Sequence, residues 1–347
     1  MDILYTCDNN YVWLMGTSML SLFENNKNLS NITVYLLGEN ISKENKTLLE
    51  NIANEYKRKC IVIDMPEIYI PDNLVSARWP KSAFSRLYAG EILPDELDRI
   101  LYLDCDTIIS GSISDLEKLD IADKYIFGVK DCIGKLYKKN IGLSVNDIYI
   151  NAGVLLMNLD KLRKLSLGNL IDEYLKTYFP FINYADQDVL NGILIGKIGV
   201  LSPKYDVMTI DFAHSYDEIK RLRRPKNFYS EAELSEAVLT PVVIHYTTNM
   251  KVIRPWYENS DHPQKEEFRR YWENSPWKNS KLEQMLFKSK EAKLISLIEK
   301  LPRKMSCTVL GILHSVLRPL YIRAKARIIL NESVYSNSSI QCRKKPR

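Results

Sequence analysis

The string Arg99-Ile100-Leu101-Tyr102-Leu103-Asp104-Cys105-Asp106-Thr107 sets two carboxylates at i and i+2 where an apolar run stops. In extended backbone, positions i and i+2 face the same way. Two like charges held close repel unless a cation lies between them. A hard divalent ion with oxygen ligands, Mg²⁺ or Mn²⁺, meets that need, and phosphate oxygens and water commonly complete its shell. Two solvated loop aspartates, or a helix cap, would read the same way. Three further strings set polar groups beside apolar ones. Tyr184-Ala185-Asp186-Gln187-Asp188 precedes a helical Val189-Leu190-Asn191. There Asp186 could cap the helix, and Asp188 would be favoured in its first turn by the helix dipole. Val243-Ile244-His245-Tyr246 is a strand ending in one of only four histidines. Tyr149-Ile150-Asn151-Ala152-Gly153-Val154 is a polar turn leading into a strand.

The elements that must hold these groups alternate. Residues 3–6 form a short apolar strand stopping at Cys7-Asp8-Asn9-Asn10. Residues 11–23 place Tyr11, Met15, Met19, Leu22 and Phe23 on one helical face. Residues 32–37 are β-rich, Ser42 can cap a helix with Leu48, Leu49, Ile52 and Tyr56 inward, and residues 60–64 are a third strand. This βαβαβ opening predicts a parallel, doubly wound sheet with ligand loops at the strand C-termini. A helix over 82–93 carries Arg86. Strands follow at 99–103, 125–129 and 154–157, helices at 159–178 and 187–195, and a late strand at 242–245.

Composition removes several classes. Apolar residues make up 46% of the 347, enough for a core, so the chain is not disordered as a whole. Six scattered cysteines without a CxxC pair argue against a zinc site and a disulfide scaffold, and for reduced thiols. The N-terminus has no basic and apolar leader pattern. No GxGxxG follows the first strand, and no P-loop, GxSxG or HExxH occurs, so metal and single basic residues would have to meet any phosphate.

In order along residues 1–258, the strings resemble glycosyltransferase family 8, as found in bacterial lipopolysaccharide α-galactosyl- and α-glucosyltransferases. Tyr5-Thr6-Cys7-Asp8-Asn9-Asn10-Tyr11 resembles a nucleotide loop, and Phe84-Ser85-Arg86-Leu87 a donor-contacting segment. The Asp104-Cys105-Asp106 string resembles the DxD strand. Asn151 to Asn158 and Asp186 to Asn191 resemble two further signatures. His245-Tyr246 with Lys251 and Arg254-Pro255-Trp256 resembles the C-terminal metal and phosphate motif. Thr248 stands where that motif commonly has glycine, and Arg254-Pro255-Trp256 comes late. Lys251 keeps the usual spacing from His245 and is favoured for the diphosphate, with Arg254 in reserve.

The resemblance implies an α/β chain of GT-A fold: a Rossmann-like mixed sheet with flanking helices, plus a basic helical C-terminal appendage. It implies a retaining hexosyltransferase moving galactose or glucose from a UDP-sugar to a cell-surface glycan or lipid-linked acceptor. Asp8 and Asn10 would bind uracil and ribose, with Tyr11 stacking on the base. Asp104, Asp106 and His245 would bind Mn²⁺, with Mg²⁺ possible. Arg86, Asp104, Asp131, Asn151, Ala152, Asp186 and Gln187 would surround the sugar, the last two as the catalytic pair. Gln187 is an uncharged amide and a poor nucleophile, so a front-face route is favoured over a covalent intermediate. A rival resemblance is the DxDxT motif of haloacid-dehalogenase-type phosphatases, with Asp104 as nucleophile and Asp106 as acid. A non-catalytic glycan-binding protein and a nucleotidyltransferase are further alternatives.

Charge divides the chain. From Lys281 onward there are 15 Lys+Arg and 4 Asp+Glu, against 33 and 39 before it. The expected organisation is a catalytic domain at 1–258, an aromatic connector packed on the body at 259–280, and a basic amphipathic tail at 281–347. Residues 305–322 are apolar but broken by His314 and Arg318-Pro319, short of the roughly 20 apolar residues of a membrane span. With Arg343-Lys344-Lys345 beyond, the tail reads as an interfacial segment on an anionic leaflet, which places the protein in the cytoplasm on the inner face of the cell membrane. Nucleic acid is not an expected partner.

Overall fold

A computed structural model describes residues 1–68 and 84–328. The start of the helix expected from 82 and the basic cluster at 343–345 lie outside the described residues. Seven strands form one mixed sheet in the order β3-β2-β1-β4-β7-β6-β8. They are β1 Asp2–Asp8, β2 Thr33–Glu39, β3 Lys59–Asp64, β4 Arg99–Leu103, β6 Ile126–Lys130, β7 Ile150–Asn158 and β8 Ile198–Val200. A second sheet, β5-β10-β9, joins β5 Thr107–Ile109, β10 Val243–His245 and β9 Val207–Met208.

The expected parallel sheet holds for β3, β2, β1 and β4. β7 then runs antiparallel to β4 and to β6, so the sheet as a whole is mixed. The alternation of β1 explains its two-sided burial. Ile3, Tyr5 and Cys7 pack on Met15, Met19 and Leu22 of the helix Val12–Asn25, whereas Leu4 faces Leu37, Phe84 and Tyr88 on the other side. β4 repeats the pattern, with Leu101 and Leu103 on one face and Ile100 and Tyr102 on the other. Side chains buried on both faces are what a covered parallel sheet requires.

Several boundaries differ from the sequence reading. The helix expected over 82–93 is a short 3₁₀ turn, Ser85–Tyr88, followed by Ala89–Ile92. The helix expected over 159–178 breaks into Leu159–Leu162 and Leu167–Tyr178. β7 begins at Ile150, so Asn151, Ala152 and Gly153 lie within the strand rather than in a turn before it.

Phe268, Tyr271 and Trp272 of the helix Lys265–Trp272 join the main core beside Trp13. Beyond them, Arg303–Ile328 is one continuous helix of 26 residues, long and apolar enough by composition to cross a membrane. It absorbs the expected break. Proline lacks an N–H and clashes with the carbonyl four residues back, and Leu313–Leu317 just before Pro319 is a widened π-turn that relieves this. Ser306, Cys307, Leu310, Gly311, Ser315 and Pro319 face the body, and Met305, Ile312, Leu317, Leu320 and Tyr321 are exposed.

Candidate active site

Topology gathers the polar groups at one edge of the large sheet. β1 and β4 are parallel, so Asp8 and Asp104 sit at or just past the same end. β6 delivers Asp131 to that edge, and the antiparallel β7 starts there with Asn151 and Ala152. Crevices at such strand ends are where α/β sheets bind ligands.

Asp104 and Asp106 do not share an extended segment. β4 stops at Leu103 and β5 begins at Thr107, so both carboxylates ride the turn carrying the chain from one sheet to the other. The turn is fixed by backbone. The Asp104 amide donates to Gly153 O at 2.7 Å, the Tyr246 amide donates to Asp106 O at 2.9 Å, and Thr107 Oγ1 donates to Asp104 O at 2.7 Å. His245 pairs with Thr107 across β10 and β5. Its Nε2 therefore lies 3.2 Å from Asp106 Oδ1 and 3.7 Å from Asp104 Oδ2. One ligand atom from each of the three residues lies within 4.8 Å of the others.

Behind the ring sits Asp206, whose side chain is fully buried, and His245 Nδ1 bonds its Oδ1 at 2.9 Å. That bond orients the imidazole and directs Nε2 at the aspartates, as in carboxylate–histidine–metal sites. Burial opposes a charge on His245, yet Asp206 and Asp106 outweigh it and hold its pKa well above the ordinary value. Burial likewise opposes the charge on Asp106, and His245 and Arg254 outweigh it and bring its pKa down. Two carboxylates and an oriented imidazole fit a divalent cation of the Mn²⁺ type. Gly153 makes room, since a Cβ there would fall 2.2 Å from His245 Cε1.

Arg86 anchors the next group. Its guanidinium meets Asp104 Oδ1 at 2.9 Å and Asp186 Oδ2 at 3.0 Å, and lies 4.4 Å over the Tyr102 ring. Burial works against the Arg86 charge, but the two aspartates raise its pKa. Burial pushes Asp186 up to about 6 against the pull of Arg86.

Gln187 is locked on three sides. Its Nε2 donates to Asp131 Oδ2 and to the Tyr149 hydroxyl, each at 3.0 Å, and its Oε1 accepts from the Ala152 amide at 3.2 Å. Asn191 holds the helix Ala185–Ile193 in register on β7, accepting from the Ile150 amide and donating to the Ile150 carbonyl, both at 2.9 Å. Asp186 sits in the first turn, and the residue preceding the helix, Tyr184, provides no side-chain cap. Asp188 is structural, with Tyr137, Tyr149 and the Asn183 and Tyr184 amides all donating to it.

One cleft of about 240 Å³ thus brings together Arg86, Asp104, Asp106, Asp131, Asn151, Ala152, Asp186, Gln187 and His245. Asn10 and Tyr11 line a neighbouring pocket of about 550 Å³ with Trp256 and Tyr257. Asp8 Oδ1 accepts from the Asn10 amide at 2.8 Å, which shapes that loop. Burial raises the pKa of the Tyr11 hydroxyl, and Arg254 of the cleft lies over Trp256 of this pocket, so the two spaces adjoin. Lys251 is not brought to the cleft. Met250 takes a positive φ of 45° and turns the chain, and Lys251 Nζ pairs with Glu299 Oε2 at 3.2 Å in another cavity. Arg254 lines the cleft instead, with NH1 3.6 Å from Asp106 Oδ2 and its guanidinium 5.1 Å over Trp256.

Asp206, Arg223 and Asn249 were not marked by any motif, and Tyr149, which opens the string ending at Val154, was given no role. For Asp206 the available signal is an acid set between Tyr205 and Val207-Met208, a charge inside an apolar run. A second cluster, His214, Glu218 and Cys307, also brings possible ligand atoms together. Arg303 already pairs with Glu218 there at 2.7 Å, which makes it a clamp for the C-terminal helix.

A family model described as Glycosyl transferase family 8 matches residues 2–260. General stress protein A of Bacillus subtilis is 24% identical over 280 residues, covering 80% of this chain and 94% of that protein. A lipopolysaccharide 1,2-glucosyltransferase of Escherichia coli is 27% identical, covering 80% and 79%. A lipopolysaccharide 1,3-galactosyltransferase of Salmonella typhimurium is 26% identical, covering 81% and 80%. Among solved structures, the galactosyltransferase LgtC with donor and acceptor sugar analogues superposes with a TM-score of 0.65 at 23% identity, covering 80% of this chain and 99% of that one. The GT-A-like fold is therefore shared with LgtC.

Proposed function

Because the chain belongs to glycosyltransferase family 8, we propose that it moves a hexose, galactose or glucose, from a UDP-sugar to a cell-surface glycan or lipid-linked acceptor with retention at the anomeric carbon. The observation that carries this reading is the convergence of Asp104, Asp106 and His245, backed by Asp206, beside the Arg86–Asp186 pair in one cleft. Asp104, Asp106 and His245 would hold a divalent cation, Mn²⁺ or Mg²⁺, which neutralises charge on a leaving diphosphate as a Lewis acid.

The remaining chemistry belongs to the protein. Arg254 lines the cleft beside Asp106, where its guanidinium would face the diphosphate and stabilise charge developing on the leaving group. Asp8, Asn10 and Tyr11 would take the nucleoside in the adjoining pocket. Arg86 fixes Asp104 and Asp186 relative to each other. Asp131, Asn151, Ala152, Asp186 and Gln187 then set the orientation of the sugar. Both Gln187 amide hydrogens face acceptors and its oxygen is engaged. The side chain therefore offers a fixed dipole rather than an anionic nucleophile, which supports front-face transfer with the acceptor proton passing to the leaving phosphate.

The division into a catalytic body at 1–258, a connector at 259–280 and a tail from 281 belongs to the same proposal. So does a cytoplasmic location on the inner face of the membrane. The exposed Met305, Ile312, Leu317, Leu320 and Tyr321, with Arg318, Arg323, Lys325 and Arg327 nearby, suit an anionic interface. The test is a panel of UDP-sugars with Mn²⁺, scored by UDP release and then by transfer to lipid-linked acceptors. Hydrolysis of one UDP-hexose, abolished by Asp104→Ala, is expected. No turnover of any UDP-sugar would overturn the reading.

A further inference from the structure

Three arginines face the cleft, and their partners differ. Arg86 meets Asp104 and Asp186, and Arg254 meets Asp106. Arg223, the last residue of the helix Tyr216–Arg223, forms no ion pair among the described residues. Its NH1 lies against His314 Nε2 and its NH2 donates to Asn249 Oδ1 at 3.5 Å, both neutral groups. Its Nε is buried without a hydrogen-bond partner. Asn249 is 1% exposed, lines the same cleft, and its Nδ2 also lacks a partner. Asp131 shares the space, but its Oδ2 accepts from Gln187 and Asn151.

Buried donors without acceptors are rare in folded proteins and call for an explanation. Here the donors are the Arg223 Nε and the Asn249 Nδ2 at a cavity wall; the guanidinium also meets the Tyr184 side chain and feels the charge of Asp131, but no carboxylate pairs with it among the described residues. A guanidinium matches carboxylate and phosphate geometry. Arg223 also lines a small side cavity of about 30 Å³, room for water, which Arg318 lines as well. His314 lines that cavity too and lies against Arg223.

The place of Arg223 separates it from the donor groups, whereas Asn249 follows His245 in the segment that resembles the metal and phosphate motif. Arg86, Asp104, Gln187 and His245 belong to the sheet edge and the helix Ala185–Ile193. Arg223 belongs to the helix on which the C-terminal helix packs, with Ser315 Oγ donating to Leu222 O at 2.8 Å. The C-terminal helix carries the exposed apolar and basic face, the side from which a lipid-linked acceptor would arrive.

We infer that Arg223 and Asn249 form a subsite for an anionic group, phosphate or carboxylate, carried by the acceptor. This rests on the sugar-transfer reading of the cleft. His314 is a positioning residue that holds the guanidinium at the wall.

The experiment uses the full chain saturated with UDP and Mn²⁺. Galactose 6-phosphate, galacturonate and methyl galactoside are titrated by calorimetry. The anionic sugars are expected to bind about 10- to 100-fold more tightly than the neutral one, as for hydrogen bonds to a charged group. Arg223→Gln should erase that preference. Asn249→Ala, which keeps the arginine, should reduce it. Equal binding of all three sugars, or an undiminished preference in Arg223→Gln confirmed as folded by its melting curve, would overturn the subsite. UDP-galacturonate is assayed as donor in parallel. If Arg223→Gln loses that donor and not the anionic acceptors, the anion belongs to the donor and the acceptor assignment fails. Wild-type binding of UDP with Mn²⁺ is measured first. Its absence removes the transferase reading and the subsite with it, and its presence without an anion preference removes the subsite alone.

Discussion

Gly153→Ala tests the geometry of the cation site without touching a ligand. The added Cβ would lie 2.2 Å from His245 Cε1, 2.7 Å from its Nδ1 and 3.0 Å from Asn151 Oδ1. Carbon atoms rest at about 3.5 Å or more, so the imidazole or strand β7 must give by about 1.3 Å. The imidazole is poorly placed to yield, since it is held by Asp206 at 2.9 Å and by the ladder to Thr107. Strand β7 is no freer, because Gly153 O accepts the Asp104 amide and any retreat drags that turn. Overpacking of this kind costs about 1–3 kcal/mol of stability. Loss of the imidazole's orientation should weaken Mn²⁺ binding by about 10- to 100-fold. Calorimetric titration of Mn²⁺ into wild type and variant, with urea midpoints of both, reads the two effects. Gly168→Ala is the control, for nothing lies within 4 Å of the Cβ it would add. A folded Gly153→Ala protein with wild-type Mn²⁺ affinity would refute the argument that this glycine exists to admit His245.

Arg86→Met leaves Asp104 and Asp186 without the cation between them, and urea unfolding without metal should show a loss of about 3–5 kcal/mol. A loss under about 1 kcal/mol would mean that Arg86 is not what holds the pair. Gln187→Ala removes three polar contacts and should lower kcat at least about 10-fold with little change in KM for the UDP-sugar, and an unchanged kcat takes Gln187 out of the reaction centre. Burial and the nearby Arg223 and Arg318 push His314 down to about 2. Below pH 6.5 the unfolded chain thus binds a proton that the folded chain refuses, and stability falls with pH by up to about 1.4 kcal/mol per unit. His314→Gln should remove that slope, so its stability relative to wild type rises from pH 6.5 to pH 5. Parallel curves would show that His314 does not titrate on unfolding.

What the sequence announced and what it hid divide by range of interaction. β1, β2 and β4 were legible because covered strands need unbroken apolar runs, and Asp104-Cys105-Asp106 was visible because it ends one. The second sheet was not, since β5 and β9 have three and two residues, too short to show a period. The helix over 159–178 read as one because residues on both sides of its break are apolar. Asp206 acquires meaning only from His245, thirty-nine positions on. Spacing from His245 favoured Lys251, but the positive φ at Met250 is a backbone fact that no side-chain pattern encodes, and it sends Lys251 to Glu299 while Arg254 comes back to the cleft. Arg223 and Asn249 were silent for the same reason, because a missing partner cannot be read from a string.

The π-turn at Leu313–Leu317 does more than admit Pro319. A helical residue advances the azimuth by about 100°, so a deletion in regular α-helix swings everything beyond it by that angle. The π-turn holds one residue more than an α-turn, and a deletion within it would let the helix close to α geometry with Pro319 and Ala326 still inward, at the cost of returning the proline ring to the carbonyl four residues back. The bulge is therefore slack between two halves of one rod, the first packed on the body beside the cleft wall and the second carrying exposed basic side chains. A one-residue deletion should be better tolerated within Leu313–Leu317 than within Arg303–Ile312, where nothing absorbs the change of phase.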